Sequence, residues 1–254
     1  AKQNKAIYYE KPLSRSFQEN MAIREAVNRY GIVFQFGTQQ RSNERFRFAC
    51  ELVSNGYLGE MDSIMIGAPR FHPLPNQPSE PVPGGFDYDL WLGPAPWKPY
   101  NSLRVTRNWT LIYDYSLGCL SGAWGIHHVD IAQWAFAMDH TGPVETEGWG
   151  EYPGEGLYDT VRHWEVEHRY ANGAKLIHMD MRTALKRADP FKLHWMGILF
   201  KGHEGWIYVA RDFIQAYPKS LLKVTIGSND IQLRRSKNHK RNFLNAIRTG
   251  QPTI

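Results

Sequence analysis

The stretch WEVEHRYANGAKLIHMDM, residues 164–181, carries the pattern that decides the fold. In it Trp164, Val166 and Tyr170 alternate with Glu165, Glu167 and Arg169, the periodicity of a strand with one covered and one wet face. Asn172-Gly173 marks a hairpin turn, and Ala174 to Met181 makes the return strand. Further on, Trp195 to Phe200 and Gly205 to Val209 read as strands with Gly202 in the turn between them. Hairpins of this kind build an open, predominantly antiparallel sheet. The later part of the chain therefore reads as an α+β domain with helices on one side of the sheet.

The residues at the start follow a different rhythm. Ala6 to Tyr9 is a short buried strand ended by Pro12. Ser16, with Glu19 three positions on, caps a helix whose stripe is Ile23, Ala26, Val27 and Tyr30. Gly31 stops that helix, and Ile32 to Phe36 is the next strand. Phe46, Ala49, Cys50 and Val53 then share one helix face, Gly56 and Gly59 break it, and Met61 to Ile66 returns to strand. Strand, helix, strand, helix, strand is the pattern of a parallel α/β layer, here only its tail. A stretch rich in Pro and Gly from Pro69 to Pro99, interrupted by Tyr88 to Leu92, suits a binding surface or a pinned connector. Gly122 to Phe136 reads as a helix with Trp124, His127, Ile131 and Trp134 on one broad face, and a last helix runs from His239 to Arg248.

Bulk properties narrow the class. With 254 residues, 42% hydrophobic and 22% charged, the chain is a folded globular one, and no run of about 18 apolar residues marks a membrane span. The net charge of +5 includes the run Arg234, Arg235, Lys237, Lys240 and Arg241. No recognition motif accompanies it, so a solvated helix face is expected there and no nucleic-acid partner. Two cysteines make no disulfide framework, and Cys50 falls on the apolar face of its helix. Ala1 is not a natural translation start, so a processed or truncated N-terminus is expected and the compartment, cytoplasmic or exported, stays open.

Several residues have the chemistry of a site. Glu10-Lys11-Pro12 follows a buried strand, and in an open α/β sheet the carboxyl ends of strands face the ligand crevice. The Lys11 ammonium can position a hydroxyl and stabilise charge on its oxygen; a surface lysine in a loop is the alternative. His127 can take a hydroxyl proton while hydride leaves the same carbon, or it is a satisfied core histidine beside Trp124 and Ile131. Adjacent His127 and His128 point in different directions and no second ligand cluster accompanies them, so no metal is expected. Thr38-Gln39-Gln40-Arg41 offers amides and a guanidinium for a polar ligand, or simply opens a helix. Arg107, Trp109, Tyr113, Asp114 and Tyr115 form the polar and aromatic mixture that binds sugars, although aromatic rings are also ordinary core material.

The order of these motifs resembles the glucose-fructose oxidoreductase and inositol dehydrogenase family. The resemblance rests on Tyr9-Glu10-Lys11-Pro12, Gly37-Thr38-Gln39-Gln40-Arg41, Trp124-Gly125-Ile126-His127-His128-Val129-Asp130, and the ending Arg241-Asn242-Phe243-Leu244 with Thr249-Gly250-Gln251-Pro252. It implies that residues 1–59 are the C-terminal part of a Rossmann domain, 60–236 a substrate and oligomerisation domain, and 237–254 a terminal helix and tail. No G-x-G-x-x-G is present, so most of the dinucleotide-binding domain is expected ahead of Ala1. By the same resemblance the cofactor is NAD or NADP, and the substrate is the secondary alcohol of a sugar or polyol. The partner is a second copy of the chain, joined through the open sheet. Lys11 and His127 would be catalytic, Glu10, Lys11, Pro12 and Gln39 would face the cofactor, and Arg41, Trp109, Tyr115 and His128 would meet substrate. Two departures stand out. Ala123 occupies the position, four before the histidine, where dehydrogenases of the family carry aspartate, and Cys119 replaces a glycine. His127 then works with Lys11 alone, or with another carboxylate such as Asp130 or Asp114, or the reaction is altered. The altered forms are a glycoside-processing lyase or hydrolase that oxidises its substrate transiently, and a non-catalytic remnant acting as a binding or assembly module.

Overall fold

The computed structural model describes residues 1–187 and 196–254, so the expected strand start at Trp195 lies outside the described residues. Among the described residues the strands form two sheets. The smaller joins β1 (Ile7–Tyr9) to β2 (Phe34–Phe36) in parallel, with α1 (Phe17–Tyr30) as the crossover between them. The capping box is present as read: Ser16 Oγ accepts from the Glu19 N–H, and the Glu19 carboxylate accepts from the Ser16 N–H. Of the α1 stripe Ile23, Ala26 and Val27 are half-buried and Tyr30 is exposed, and no residue of this helix is buried.

Helix α2 (Glu44–Ser54) turns Phe46, Ala49, Cys50 and Val53 inward as its spacing requires. Strand β3 (Met61–Ala68) then departs from the expected parallel layer with β1 and β2. It lies at the centre of a seven-stranded sheet, parallel to β6 (Lys175–Asp180) and antiparallel to β7 (Gly197–Gly202). A strand covered on both faces reads as a continuous apolar run whichever sheet it joins, so periodicity identified the strand and not its neighbours.

The remaining elements are α3 (Tyr88–Leu92), α4 (Gly125–Ala135), β4 (Glu145–Glu151), β5 (His163–Arg169), α5 (Met181–Arg187), β8 (Trp206–Val209), β9 (Ile214–Tyr217) and α6 (His239–Thr249). The large sheet runs β4-β5-β6-β3-β7-β8-β9, and the β3–β6 pair is its one parallel pairing. It is the open, mixed, predominantly antiparallel sheet of the sequence reading. At the hairpin, the Gly173 N–H donates to the Tyr170 carbonyl with Gly173 at φ +84°, a left-handed conformation that glycine adopts without Cβ strain.

Helices lie on both faces, where one was expected. Helices α2 and α4 cover Ile64, Ile66, Leu176, Ile198 and Phe200, while α5 sits against Ile177, Met179, Leu199 and Tyr208 through Ala184. The expected return strand to Met181 ends one residue early for the same reason. Buried Asp180 accepts from the Arg182 N–H at 2.9 Å and the Thr183 hydroxyl at 2.7 Å, which starts α5 and folds it back onto the sheet. Helix α6 closes the small sheet: His239 Nε2 bonds the Phe36 carbonyl at 2.8 Å, and Gln35 Nε2 donates to the His239 carbonyl at 2.9 Å.

Candidate active site

Lys11 leaves the carboxyl end of β1 and crosses to the entry of α4. Its Nζ donates to the carbonyls of Gly122 at 3.1 Å and Ala123 at 2.8 Å, tying together segments more than a hundred residues apart. Burial lowers the Lys11 pKa, Glu10 opposes that shift, and the charge of Arg211 adds to it. His127 sits in the first turn of α4 and is buried. Burial first, then the positive charges of Lys11, Arg211 and His239, drive its pKa down to about 3. The imidazole is therefore neutral at neutral pH, and its Nδ1 is buried without a hydrogen-bond partner. Gly125 permits this tight entry to α4, because a Cβ there would run into the Leu120 carbonyl and the His178 ring.

Around this pair the other expected residues divide. Glu10 and Gln39 stand together at the ends of β1 and β2, the Gln39 amide donating to Glu10 Oε2 at 3.3 Å, and Gly37 packs against Glu10 so closely that a Cβ would lie 2.8 Å from that carboxylate. Pro12 continues this rim half-buried. Two strand ends this near, with a cation between them and α4, fit the nicotinamide end of a dinucleotide. Arg41 is engaged elsewhere. It forks onto Asp130 with two bonds of 2.8 Å, pairs with Asp139 at 2.7 Å, and lies over the Trp134 ring. Burial works against its charge, but the two carboxylates raise its pKa, so the cluster pins the turn before α2 to α4. His128 is fully buried, its Nδ1 accepting from Trp124 Nε1 at 2.9 Å with Phe46 beside the ring. Both residues face the protein interior or its ion pairs, and the structure does not bring them to Lys11. Tyr115 and Trp109 are half-buried nearby in sequence; Tyr115 Oη accepts from Arg104 at 3.1 Å and its ring meets Trp91 edge-on.

The carboxylates offered as substitutes for the missing aspartate have other partners. Asp130 is held by Arg41, and Asp114 pairs with Lys98 at 3.9 Å. Arg211, just past β8, was not foreseen from the sequence. Its guanidinium lies 4.3 Å from the Trp124 ring centroid, and its charge reaches both Lys11 and His127. No local motif announces it; only the sheet order carries the end of β8 to α4. Cys119 is buried near Lys11, its thiol pKa pushed up to about 11 by burial against the pull of that ammonium. Among the described residues no group of three or more His, Cys, Asp or Glu is placed to hold a metal ion, and no helix is long and apolar enough to cross a membrane.

An open mixed sheet backed by helices on both faces, with a small parallel sheet docked at the entry of α4, defines an α/β domain. The family model described as "Oxidoreductase family, C-terminal alpha/beta domain" matches residues 71–249, more than half of the chain. The chain belongs to the glucose-fructose oxidoreductase and inositol dehydrogenase family. Solved structures share the fold. A levoglucosan dehydrogenase in complex with NADH and levoglucosan is 20% identical at TM-score 0.58, over 85% of this chain and 51% of its own. The WlbA dehydrogenase from Bordetella pertussis, with NADH and UDP-GlcNAcA, is 13% identical at TM-score 0.55, over 84% of this chain and 52% of its own. An NAD-binding protein from Listeria innocua is 14% identical at TM-score 0.59, over 98% and 67%. The chain thus spans about half the length of the first two. No curated protein matches it by sequence.

Proposed function

We propose that the full protein transfers hydride between NAD(P) and the secondary alcohol of a sugar or polyol, with Lys11 and His127 as its catalytic residues. The observation that carries this reading is the meeting of the Lys11 ammonium with the entry of α4, one turn before a neutral, buried His127. The bound nicotinamide would supply the hydride chemistry, with Glu10, Pro12 and Gln39 along its edge. Lys11 holds the reacting oxygen and stabilises its developing negative charge in a site with little water. His127 takes the hydroxyl proton. With a pKa near 3 it is a weak base, so that transfer depends on Lys11 stabilising the oxygen at the same moment. Arg211, stacked on Trp124, supplies a second cation for orienting hydroxyl groups. Lys11→Ala in the full-length protein, assayed for turnover and for cofactor affinity, tests this. Turnover should collapse while cofactor affinity changes little, and preserved turnover in a folded variant would overturn the assignment.

One observation favours a second reading, transient oxidation without net redox change. A proton taken by His127 has no carboxylate to pass to, since Ala123 stands one turn before it and Asp130 and Asp114 are paired elsewhere. So weak a base gives the proton up again readily, and within the site the product is there to receive it. Cleavage of a glycoside with no accumulation of reduced nicotinamide would support this reading; stoichiometric reduced nicotinamide would reject it.

The homo-oligomer reading is supported by the two edges of the large sheet: every residue of β4 is exposed, Trp149 among them, and at the opposite edge Tyr217 of β9 presents aromatic surface.

A further inference from the structure

Residues 79–100 enclose a cleft of about 460 Å³, inside the range of roughly 300–1,000 Å³ typical of small-ligand sites. Tyr88, Tyr100 and Phe86 form its floor, and Trp97, 67% exposed, overhangs it. The frame is fixed. The Glu80 N–H donates to the Tyr100 carbonyl at 2.8 Å, and Tyr88 Oη donates to the Lys98 carbonyl at 2.9 Å. Glu80 is held by Asn101 Nδ2 at 2.9 Å and by the Ser102 N–H at 3.0 Å, while Asp87 Oδ1 accepts from the Leu90 N–H at 2.9 Å, leaving its second oxygen open. With Asp89 these give three carboxylates, and among the described residues no Lys, Arg or His lines the cleft.

Aromatic faces beside oriented carboxylates match the two sides of a sugar: ring C–H groups lie on the aromatics, and hydroxyls donate strong hydrogen bonds to the carboxylate oxygens. The net negative lining disfavours uronates and nucleotide-linked sugars. A run of contacts leads from the cleft toward the segment that carries Lys11. Tyr88 stacks on Trp91, whose ring meets Tyr115 edge-on at 5.4 Å. Lys98 reaches Asp114, whose carbonyl accepts from Arg15, four residues beyond Lys11.

We infer that this cleft binds a neutral sugar ring of an oligosaccharide or glycoside whose other end lies toward Lys11 and His127. The inference rests on the sugar-oxidoreductase reading for the second half of that statement and on the cleft alone for the first. Calorimetric titration of the full-length protein with cellotriose, maltotriose and xylotriose, and with trigalacturonate, tests it. At least one neutral trisaccharide should bind, and trigalacturonate should bind more weakly than it. Trp97→Ala, at an exposed position, should weaken binding by about tenfold or more, equivalent to ~1.4 kcal/mol. Failure of all three neutral sugars to bind, indifference to Trp97→Ala, or equal binding of trigalacturonate would overturn the inference. Because binding is read without turnover, loss of the cleft's sugar with Lys11-dependent turnover intact refutes the cleft alone. Trp97-dependent binding without any turnover refutes the oxidoreductase reading alone.

Discussion

At the scale of single residues, the consequential substitution is the alanine at 123. Ala123 lies in the turn before α4, where its carbonyl receives Lys11, and a carboxylate at this position would favour the imidazolium of His127 and offset the burial and like charge that now depress it. Ala123→Asp should therefore move the acid limb of the pH profile for kcat/KM toward higher pH, since oxidation needs neutral His127; an unmoved limb would show that His127 does not set it. Arg41 makes a different case. Removing its guanidinium leaves Asp130 and Asp139 facing each other without a cation, so Arg41→Ala should destabilise the protein by about 3 kcal/mol or more in denaturant unfolding. A role confined to substrate would leave stability unchanged. The residues at strand ends and helix starts were legible because their addresses follow from local pattern: Lys11 after β1, His127 at α4. The fates of Arg41 and His128 were not, because a salt cluster or a tryptophan partner is set by packing between distant segments.

At the scale of elements, α4 and β6 bury three histidines in one layer. His127 and His178 have pKa values driven to about 3, and His128 lies well below its usual value, burial being the first cause in each. Depressed pKa values mean that the unfolded chain binds these protons first. The stability they contribute is complete above about pH 6.5 and falls as the pH drops from there toward 3. Each group costs up to ~1.4 kcal/mol per pH unit in that window. Thermal melts between pH 8 and 5 should show a falling Tm well before the carboxylates titrate, and a flat Tm over that range would contradict the buried neutral state. Replacing Phe46, fully buried beneath α4, by alanine should cost about 3–5 kcal/mol by the same melts. Element identity was readable wherever one face is apolar. Strand β4, ETEGWGE, has no apolar face and went unread, as did the short β9, IQAY.

At the scale of the whole molecule, one topological fact organises the rest. Strand β3 leaves the small parallel sheet and enters the centre of the large one, so the chain crosses between the sheets beside α2, and Lys11 from the first meets α4 on the second. A hydrophobic run cannot name the strand it pairs with, which is why periodicity alone grouped β3 with the first two strands, whereas the division at residue 59 that the family resemblance implies falls ahead of it. The proposed reaction centre is thus a junction, assembled only when both parts are docked. The direct test is single-turnover hydride transfer by the full-length protein on a panel of neutral sugars and polyols, followed by nicotinamide absorbance, with Lys11→Ala and His127→Ala beside the unaltered protein. Each variant should bind cofactor as before and lose about 10²–10⁴-fold in the transfer rate, and the double variant should lose no more than the worse single one, because the two residues act on one oxygen and its proton. Transfer at the unaltered rate in either folded single variant would contradict a shared Lys11–His127 centre.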